Sequence, residues 1–213
     1  MKTAEAWSEL PLAYAPVEYL VREASQQWER DEAMALRRAV FCIEQGIFAR
    51  DDRDAIDDHA LLLVAMSCNA GMPEQVVGTV RIHRGTAGTG SGSEWWGSRL
   101  AVHPAFRSQG HLGATLIRLA VSRAHALGCT LFLAQVQLQN EPLFRKLGWT
   151  TLGECEVQGR PHARMRADLG FYPPCHDPVS GFVTRATSSS SSSTWASRRW
   201  RRSARPRCTA GRS

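Results

Sequence analysis

Several familiar signals are missing from this sequence of 213 residues. Its six cysteines are scattered without a C-x-x-C pair, which argues against a disulfide framework and against a zinc site. The N-terminus lacks the apolar core of a signal peptide, and no later run approaches the roughly 20 apolar residues that span a bilayer. We therefore expect a reduced, cytoplasmic protein that binds neither a metal ion nor a membrane.

Acidic residues are absent after Asp177, whereas eight arginines lie beyond position 184. Without those arginines the chain carries 18 basic and 20 acidic residues, so the net charge of +6 belongs to the C-terminal segment. This segment also contains six consecutive serines and no hydrophobic period, a composition that cannot bury enough apolar surface to fold. We predict a disordered Ser/Arg-rich tail over residues 185–213, which is either native or the product of a frameshift. Because the body is mildly acidic, nucleic acid is not an expected partner.

The rest of the chain is predicted to form a single domain over residues 17–184, preceded by a leader at 1–16. Apolar residues alternate or form short continuous runs where we predict strands, and they recur at helical spacing where we predict helices. The predicted strands are 17–22, 60–66, 75–83, 95–102, 129–137, 150–157 and 163–169, and the predicted helices are 31–45, 113–127 and 140–147. A Gly/Ser/Thr-rich link at 85–93 separates two of the strands. This order indicates a mixed α/β sheet.

Two common phosphate-binding signals are also absent: the G-K-S/T of nucleoside-triphosphate loops and the G-x-G-x-x-G of dinucleotide sites. In their place, residues 98–114 predict a strand, a turn that contains Gly110 and the start of a helix. The first backbone N–H groups of a helix have no partner within it, and the helix dipole places positive potential at that end. The turn that begins at Arg107 is therefore a candidate site for an anionic diphosphate.

This turn, the sequence L-A-V-H-P before it and the sequence N-E-P-L-F-R-K-L-G-W farther on resemble, in order and spacing, the GNAT superfamily of N-acetyltransferases. The resemblance implies an α/β (α+β) fold in which a mixed, mostly antiparallel sheet is flanked by helices and its central strands splay into a V. It also implies that the turn holds the pyrophosphate of acetyl-CoA while the preceding strand hydrogen-bonds the pantetheine arm. The cofactor-binding residues implied in this way are Leu100, Ala101, Val102, Arg107, Ser108, Gln109, Gly110, His111, Leu112, Gly113, Ala114, Asn140 and Phe144.

Two positions depart from the family pattern. Where the family has Gly or Ala two positions after the first glycine of the turn, this chain has Leu112, followed by Gly113 and Ala114. Either the turn carries one extra residue or Leu112 takes the place of the small residue. The tyrosine that often protonates the departing CoA thiolate is replaced by Phe144, so the acid is another group or water, or the chain is a weak catalyst. Asn140 matches a position that contacts the cofactor arm, and it is also a suitable N-cap for the short helix.

Motifs in the N-terminal half indicate one branch of this family. The segment L-R-R-A-V-F-C-I-E-Q at 36–45 and the acidic stretch at 51–58 resemble an element of one GNAT branch that is also similar to acyl-homoserine-lactone synthases. G-R-P-H-A-R-M at 159–165 resembles a second element of that branch, and Y-P-P-C-H-D-P follows at 172–178. Together these segments are similar to the nitrogen-starvation N-acetyltransferase group.

Acetyl transfer to an amine requires a deprotonated nucleophile beside the thioester and a route for the ammonium proton. Glu44 and His162 are the candidate catalytic residues, because a carboxylate and an imidazole can each accept that proton. The candidate substrate-binding residues, which would hold a cationic amine or shape its pocket, are Arg37, Gln45, Asp54 and Asp57. Three simpler roles stay open. The acidic stretch at 51–58, which we call the acidic loop, is a solvated connector, and Arg37 forms ion pairs with its carboxylates. His162 is a histidine packed within a strand.

The sequence thus predicts an N-acetyltransferase that moves the acetyl group of acetyl-CoA to a small-molecule amine by direct attack in a ternary complex. Two alternatives remain. The replacement at Phe144 is consistent with a noncatalytic acyl-CoA-binding regulatory module, and the N-terminal segments are consistent with an enzyme like an acyl-homoserine-lactone synthase. A homodimer is open as an alternative to a monomer.

Overall fold

An eight-stranded sheet forms the centre of the computed structural model, which describes residues 16, 18–85, 93–107, 109 and 111–186. The strands are β1 (Glu18–Glu23), β2 (Leu61–Asn69), β3 (Met72–Arg84), β4 (Ser93–Val102), β5 (Cys129–Gln137), β6 (Trp149–Val157), β7 (Arg160–Ala167) and β8 (Phe182–Arg185). Their order in the sheet is β6-β7-β5-β4-β3-β2-β1-β8, and every neighbouring pair is antiparallel except β4 and β5.

Three α-helices cover the two faces of this sheet: α1 (Gln27–Arg38), α2 (Leu112–Ala126) and α3 (Glu141–Lys146). Strand β2 explains why helices pack on both faces. Successive side chains of a strand point to opposite faces of the sheet, and those of β2 are apolar on both. Leu62 and Val64 pack in one core cluster with Leu36 of α1, whereas Leu63 packs in the other with Leu116 of α2. The continuous apolar run of the sequence is therefore a strand that is buried on both sides.

The central strands separate into a V at one end. The parallel pairing of β4 with β5 ends at Gly97 and Ala134. Beyond this point β4 stays paired with β3 as far as Val102, while β5 stays paired with β7 as far as Gln137. The mixed, mostly antiparallel sheet and its predicted splay are thus confirmed.

Two elements differ from the sequence prediction. The helix predicted at 31–45 begins earlier, at Gln27, and changes after Arg38 into a π-helix (Ala39–Glu44), whose wider turn breaks the helical period. Strand β8 was not predicted because four residues are too few to establish a strand pattern, and it pairs with β1 from outside. It ends at Arg185, so the predicted start of the tail falls inside a strand.

Parts of three predicted segments lie outside the described residues. These are the leader apart from residue 16, most of the link at 85–93, and the tail from 187 onward. Among the residues that are described, no helix is long and apolar enough to cross a membrane.

Candidate active site

The splay of β4 and β5 opens a cleft of about 1540 Å³. One wall consists of β4 beyond Gly97 and the start of α2, and we call it the donor wall. The other wall is built from the end of β5 and the start of β7, together with the C-terminal end of the π-helix. The backbone edge of β4 on the donor wall has no pairing with β5, so its polar groups are available to a ligand in the cleft.

Most of the predicted cofactor-binding residues line this cleft. They are Leu100, Ala101, Val102, Arg107, His111, Gly113, Ala114, Asn140 and Phe144. His111 adopts a left-handed conformation (φ 50°) immediately before α2, which turns the chain from the loop into the helix. Ser108 and Gly110 lie outside the described residues.

Leu112 and Gln109 turn their side chains away from the cleft, which leaves their backbone groups as the predicted contacts with a cofactor. The Leu112 side chain is 1% exposed and packs in the core with Leu116, because it lies on the inner face of the first turn of α2. Gln109 points toward β1, where its Oε1 accepts a hydrogen bond of 2.6 Å from the Tyr19 hydroxyl. The small residue at the cleft is Gly113, which agrees with a turn that carries an extra residue.

Arg107 and Glu44 form an ion pair across the mouth of the cleft. Arg107 Nη2 donates to Glu44 Oε2 at 2.6 Å, and its Nε donates to the Val102 carbonyl at 3.1 Å. This pairing lowers the pKa of Glu44 and raises the pKa of Arg107, so both groups stay charged. Arg107, which was predicted to bind the diphosphate, and Glu44, which was predicted to be catalytic, are therefore paired with each other.

Asn140 and Phe144 contribute to the cleft from the segment that leads into α3. The Asn140 side chain makes no capping hydrogen bond to this helix, although it directly precedes it. Phe144 is 6% exposed, and its ring meets the Trp149 ring edge-to-face with 5.0 Å between centroids. It thus supplies an apolar surface where a tyrosine would have supplied a hydroxyl.

Behind the cleft, three arginines and three aspartates form what we call the arginine–aspartate network. Its members are Arg37, Asp52, Asp54, Asp57, Arg81 and Arg99. Arg37 is fully buried and donates to Asp52 Oδ2 at 2.8 Å and to Asp57 Oδ1 at 2.6 Å. Burial alone would raise the pKa of Asp57, but hydrogen bonds from Arg37 and from the backbone of Asp54 lower it overall.

The network changes the roles predicted for the acidic loop. Arg37 and Asp57 do not line the cleft, so they are corrected from substrate-binding residues to internal partners, the pairing that the sequence offered as an alternative. Asp54 does reach the cleft wall, yet it is bound by Arg81 Nη1 at 2.6 Å and by Arg99 Nη2 at 3.1 Å. None of these carboxylates is left to attract a cationic amine.

His162 and Gln45 occupy the wall opposite β4. His162 is 7% exposed and lies opposite Gln137 in the pairing of β7 with β5. Its Nδ1 is 2.9 Å from the Arg160 carbonyl oxygen. Because a carbonyl can only accept, this nitrogen carries the proton and Nε2 of the neutral ring keeps its lone pair. Gln45 Oε1 accepts a hydrogen bond of 3.0 Å from Gln137 Nε2.

The sequence did not single out Arg81 or Arg99, although both line the cleft. The sequence did carry a signal for Arg81, because this arginine lies in the middle of a predicted strand with alternating apolar residues. An arginine that is buried in a sheet needs a carboxylate partner. Arg99 gave no comparable signal, since its place depends on a left-handed backbone (φ 55°) that interrupts β4. That backbone brings its guanidinium to 4.7 Å from the centre of the Phe48 ring.

An unpaired strand edge, a helix N-terminus and an arginine converge on one wall, and the opposite wall offers a histidine lone pair. This is an arrangement expected for an acyltransferase. Over the described part of the chain, no group of three or more His, Cys, Asp or Glu side chains is placed to hold a metal ion.

Comparison with known proteins agrees with this class. The profile of the acetyltransferase (GNAT) family matches residues 17–149, so the chain belongs to that family. A search of curated proteins finds no match.

The solved structures that share the fold include the following three. A Lactobacillus plantarum protein assigned as an N-acetyltransferase has a TM-score of 0.60 at 24% identity, over 71% of this chain and 98% of that one. FeeM, an N-acyl amino acid synthase from uncultured soil microbes, has a TM-score of 0.59 at 16% identity, over 73% and 93%. BjaI, a CoA-dependent acyl-homoserine lactone synthase, has a TM-score of 0.56 at 20% identity, over 71% and 83%.

Proposed function

We propose that this protein transfers the acetyl group of acetyl-CoA to the amine of a small molecule. The observation that carries the proposal is the donor wall. On it, an unpaired β4 edge, the N-terminus of α2 and Arg107 lie on one side of a single cleft. Membership in the acetyltransferase family supports acetyl-CoA as the donor. BjaI, which has a similar fold, is described as CoA-dependent.

In this proposal the donor lies along β4. The backbone of Leu100 to Val102 takes the amide groups of the pantetheine arm in place of the absent strand partner. The diphosphate lies at the start of α2, where unpaired N–H groups and the helix dipole favour negative charge. Arg107 adds a charged donor at the same place.

The acceptor reacts from the opposite wall. Its nitrogen lone pair forms the new C–N bond at the thioester carbonyl, the C–S bond breaks, and the sulfur leaves with the electron pair. The nitrogen loses a proton to the Nε2 lone pair of His162, which is already oriented by the bond from Nδ1 to the Arg160 carbonyl. Phe144 has no proton for the thiolate, so water in the open cleft supplies it.

Calorimetry and a thiol-release assay test this function together. We expect CoA and acetyl-CoA to bind, and thiol to be released only when an amine from a panel is present. His162→Gln should lower kcat by about 100-fold or more while CoA still binds. His176→Gln removes an exposed histidine that does not line the cleft and should leave the rate unchanged. A folded protein that binds no CoA would overturn the proposal.

Phe144 favours a second candidate, a noncatalytic module that binds acyl-CoA. The same assay separates the two functions, because a noncatalytic module binds the donor without releasing thiol to any amine. Phe144→Tyr is informative here. If the wild type is an enzyme that relies on water for the thiolate proton, the new hydroxyl should raise a kcat that is already measurable, whereas activity of this variant beside an inactive wild type would show that Phe144 is what makes the chain noncatalytic.

A further inference from the structure

The carboxylates at the open part of the cleft are all neutralised by arginine. Glu44 is paired with Arg107, and Asp54 is paired with both Arg81 and Arg99. Glu94, the remaining cleft carboxylate among the described residues, lies at the start of β4, before the splay. There it accepts a hydrogen bond of 2.6 Å from the Trp96 indole. The acceptor side therefore offers little attraction to a polycationic amine.

Arg160 is the exception among the cleft-lining arginines that the structure describes. The other three each have a carboxylate within ion-pairing distance, whereas Arg160 has none in the described part of the chain. Its Nη2 donates to the Gln45 backbone carbonyl at 2.6 Å, which fixes the guanidinium beside the end of the π-helix. A guanidinium has five N–H donors in a planar fork, so a bidentate face suited to a carboxylate remains.

Arg160 and His162 lie two residues apart on β7, so both side chains project from the same face of the strand. Their Cα atoms are about 7 Å apart in such a strand, a span that one small bifunctional molecule can bridge. The amides of Gln45 and Gln137 lie beside them and add neutral hydrogen-bonding groups. A cation and a proton acceptor thus lie side by side on the wall opposite the donor wall, formed by the ends of β5 and the π-helix and the start of β7, which we call the acceptor wall.

We infer that the acceptor is an amino acid, or another amine that carries a carboxylate close to its nitrogen. Its carboxylate binds Arg160, and its amine then faces Nε2 of His162. The inference rests on the proposed function and names the substrate class of the same site. It replaces the cationic acceptor that the acidic loop suggested, since those acids are occupied by arginines.

Matched pairs of acceptors test this class directly. The panel contains α-amino acids, the corresponding amino acid amides without the carboxylate, and diamines, each with acetyl-CoA. We expect kcat/KM to be at least about tenfold higher for the acids than for their amides. Arg160→Gln should raise KM for the acids by about 10- to 100-fold with little change in kcat, and should leave the amides unaffected.

Arg164→Gln is the matched control, because this exposed arginine is on the same face of β7 but does not line the cleft. It should leave KM unchanged. If thiol release occurs with amides or diamines as readily as with acids, or if Arg160→Gln affects acids and amides equally, this inference is wrong while the acyltransferase function stands. If the protein binds no CoA, the proposed function itself fails, and the two failures are thereby distinguished.

Discussion

The pairing of Glu44 with Arg107 connects the acceptor side of the cleft to the donor side. Both side chains are partly exposed, at 36% and 44%, so the bond is in contact with water and can exchange. In the proposed function, the diphosphate and the Glu44 carboxylate are two anions at one guanidinium, so each weakens the attraction of the other to Arg107. If the donor binds there as proposed, its binding would weaken the Arg107–Glu44 pair and make Glu44 more available as a proton acceptor.

Glu44→Gln should therefore tighten CoA binding. The neutral amide competes less well for Arg107, and the loss of an exposed ion pair corresponds to about two- to fivefold in Kd. Calorimetry with CoA measures this change. Pantetheine, which lacks the diphosphate, should bind both proteins equally.

Glu18→Gln is a suitable control, because it breaks the exposed pair with Arg185 far from the cleft. It should leave CoA binding unchanged. Weaker CoA binding by Glu44→Gln would contradict the competition and would show instead that Glu44 holds Arg107 in position for the ligand.

At the scale of elements, strand β8 depends on how the chain enters it. Gly181 precedes the strand with a left-handed backbone (φ 62°), and a Cβ there would lie 2.1 Å from the Val21 carbonyl oxygen. Only glycine allows this close approach of two backbones. The pairing of β8 with β1 thus depends on a glycine at this one position.

Gly181→Ala should lower the free energy of unfolding by more than Gly159→Ala does. Both glycines have positive φ, but a Cβ at Gly159 would have open space, so that variant shows the cost of backbone strain alone, about 1–2 kcal/mol. Gly181→Ala adds the clash with Val21. Urea unfolding of the two variants gives the comparison, and equal losses would mean that β8 does not dock on β1 as described.

The sequence predicted most elements because their apolar patterns are local. Strand β5 was predicted with its observed bounds, and β2 and β3 with errors of a few residues. The π-helix was missed because the preference for a wider turn is set by packing of Val40 and Phe41 against the sheet, which no short window of sequence contains. Strand β8 was missed because its four residues are too few for a strand pattern and its partner β1 lies more than 150 residues away in the chain.

At the scale of the whole molecule, the arginine–aspartate network joins four separate parts of the chain. Arg37 belongs to α1, Asp52 and Asp57 to the acidic loop, Arg81 to β3 and Arg99 to β4. Buried charges of this kind are stable only while every partner is present. The wall of the cleft therefore depends on an ion-pair cluster rather than on apolar contacts alone.

Arg37→Gln should destabilise the protein by about 3–5 kcal/mol, since it leaves the buried network with three aspartates and only two arginines, Arg81 and Arg99, so that one carboxylate charge is uncompensated. Unfolding in urea at neutral pH measures the loss. Arg38→Gln, at an exposed neighbouring position, is the control and should change stability by less than about 0.5 kcal/mol.

The same variant should also alter the response to acid. The pKa of Asp57 is depressed in the folded state, so its contribution is complete above the ordinary value of 3.8 and is lost as the pH falls below that value. Without Arg37 the depression of this pKa becomes smaller, because only the hydrogen bond from the Asp54 backbone and the charge of Arg81 still lower it. The stability difference between wild type and Arg37→Gln should then shrink from pH 7 toward pH 3. A difference that stays constant would mean that Arg37 does not set the pKa of Asp57.

The two walls of the cleft were not equally predictable from the sequence. The donor wall comes mostly from one contiguous stretch, 100–114, so a linear motif could find it, and only the direction of side chains such as Leu112 remained undetermined. The acceptor wall is assembled from Gln45, Gln137 and β7, whose contacts span 92 and 115 residues. The pairing of Glu44 and Asp54 with arginines depends on the folded arrangement, so the sequence alone could not predict it.

The open edge of β4 has a consequence for solubility. Unpaired strand edges are ordinarily hazards, because another extended chain can add to them and start aggregation. Here the edge lies inside the sheet between two continuing strands, and the Arg107–Glu44 bridge crosses its entrance. The unpaired edge of β4 is therefore reached through the cleft, and not from the outer edges of the sheet, where another extended chain would ordinarily add.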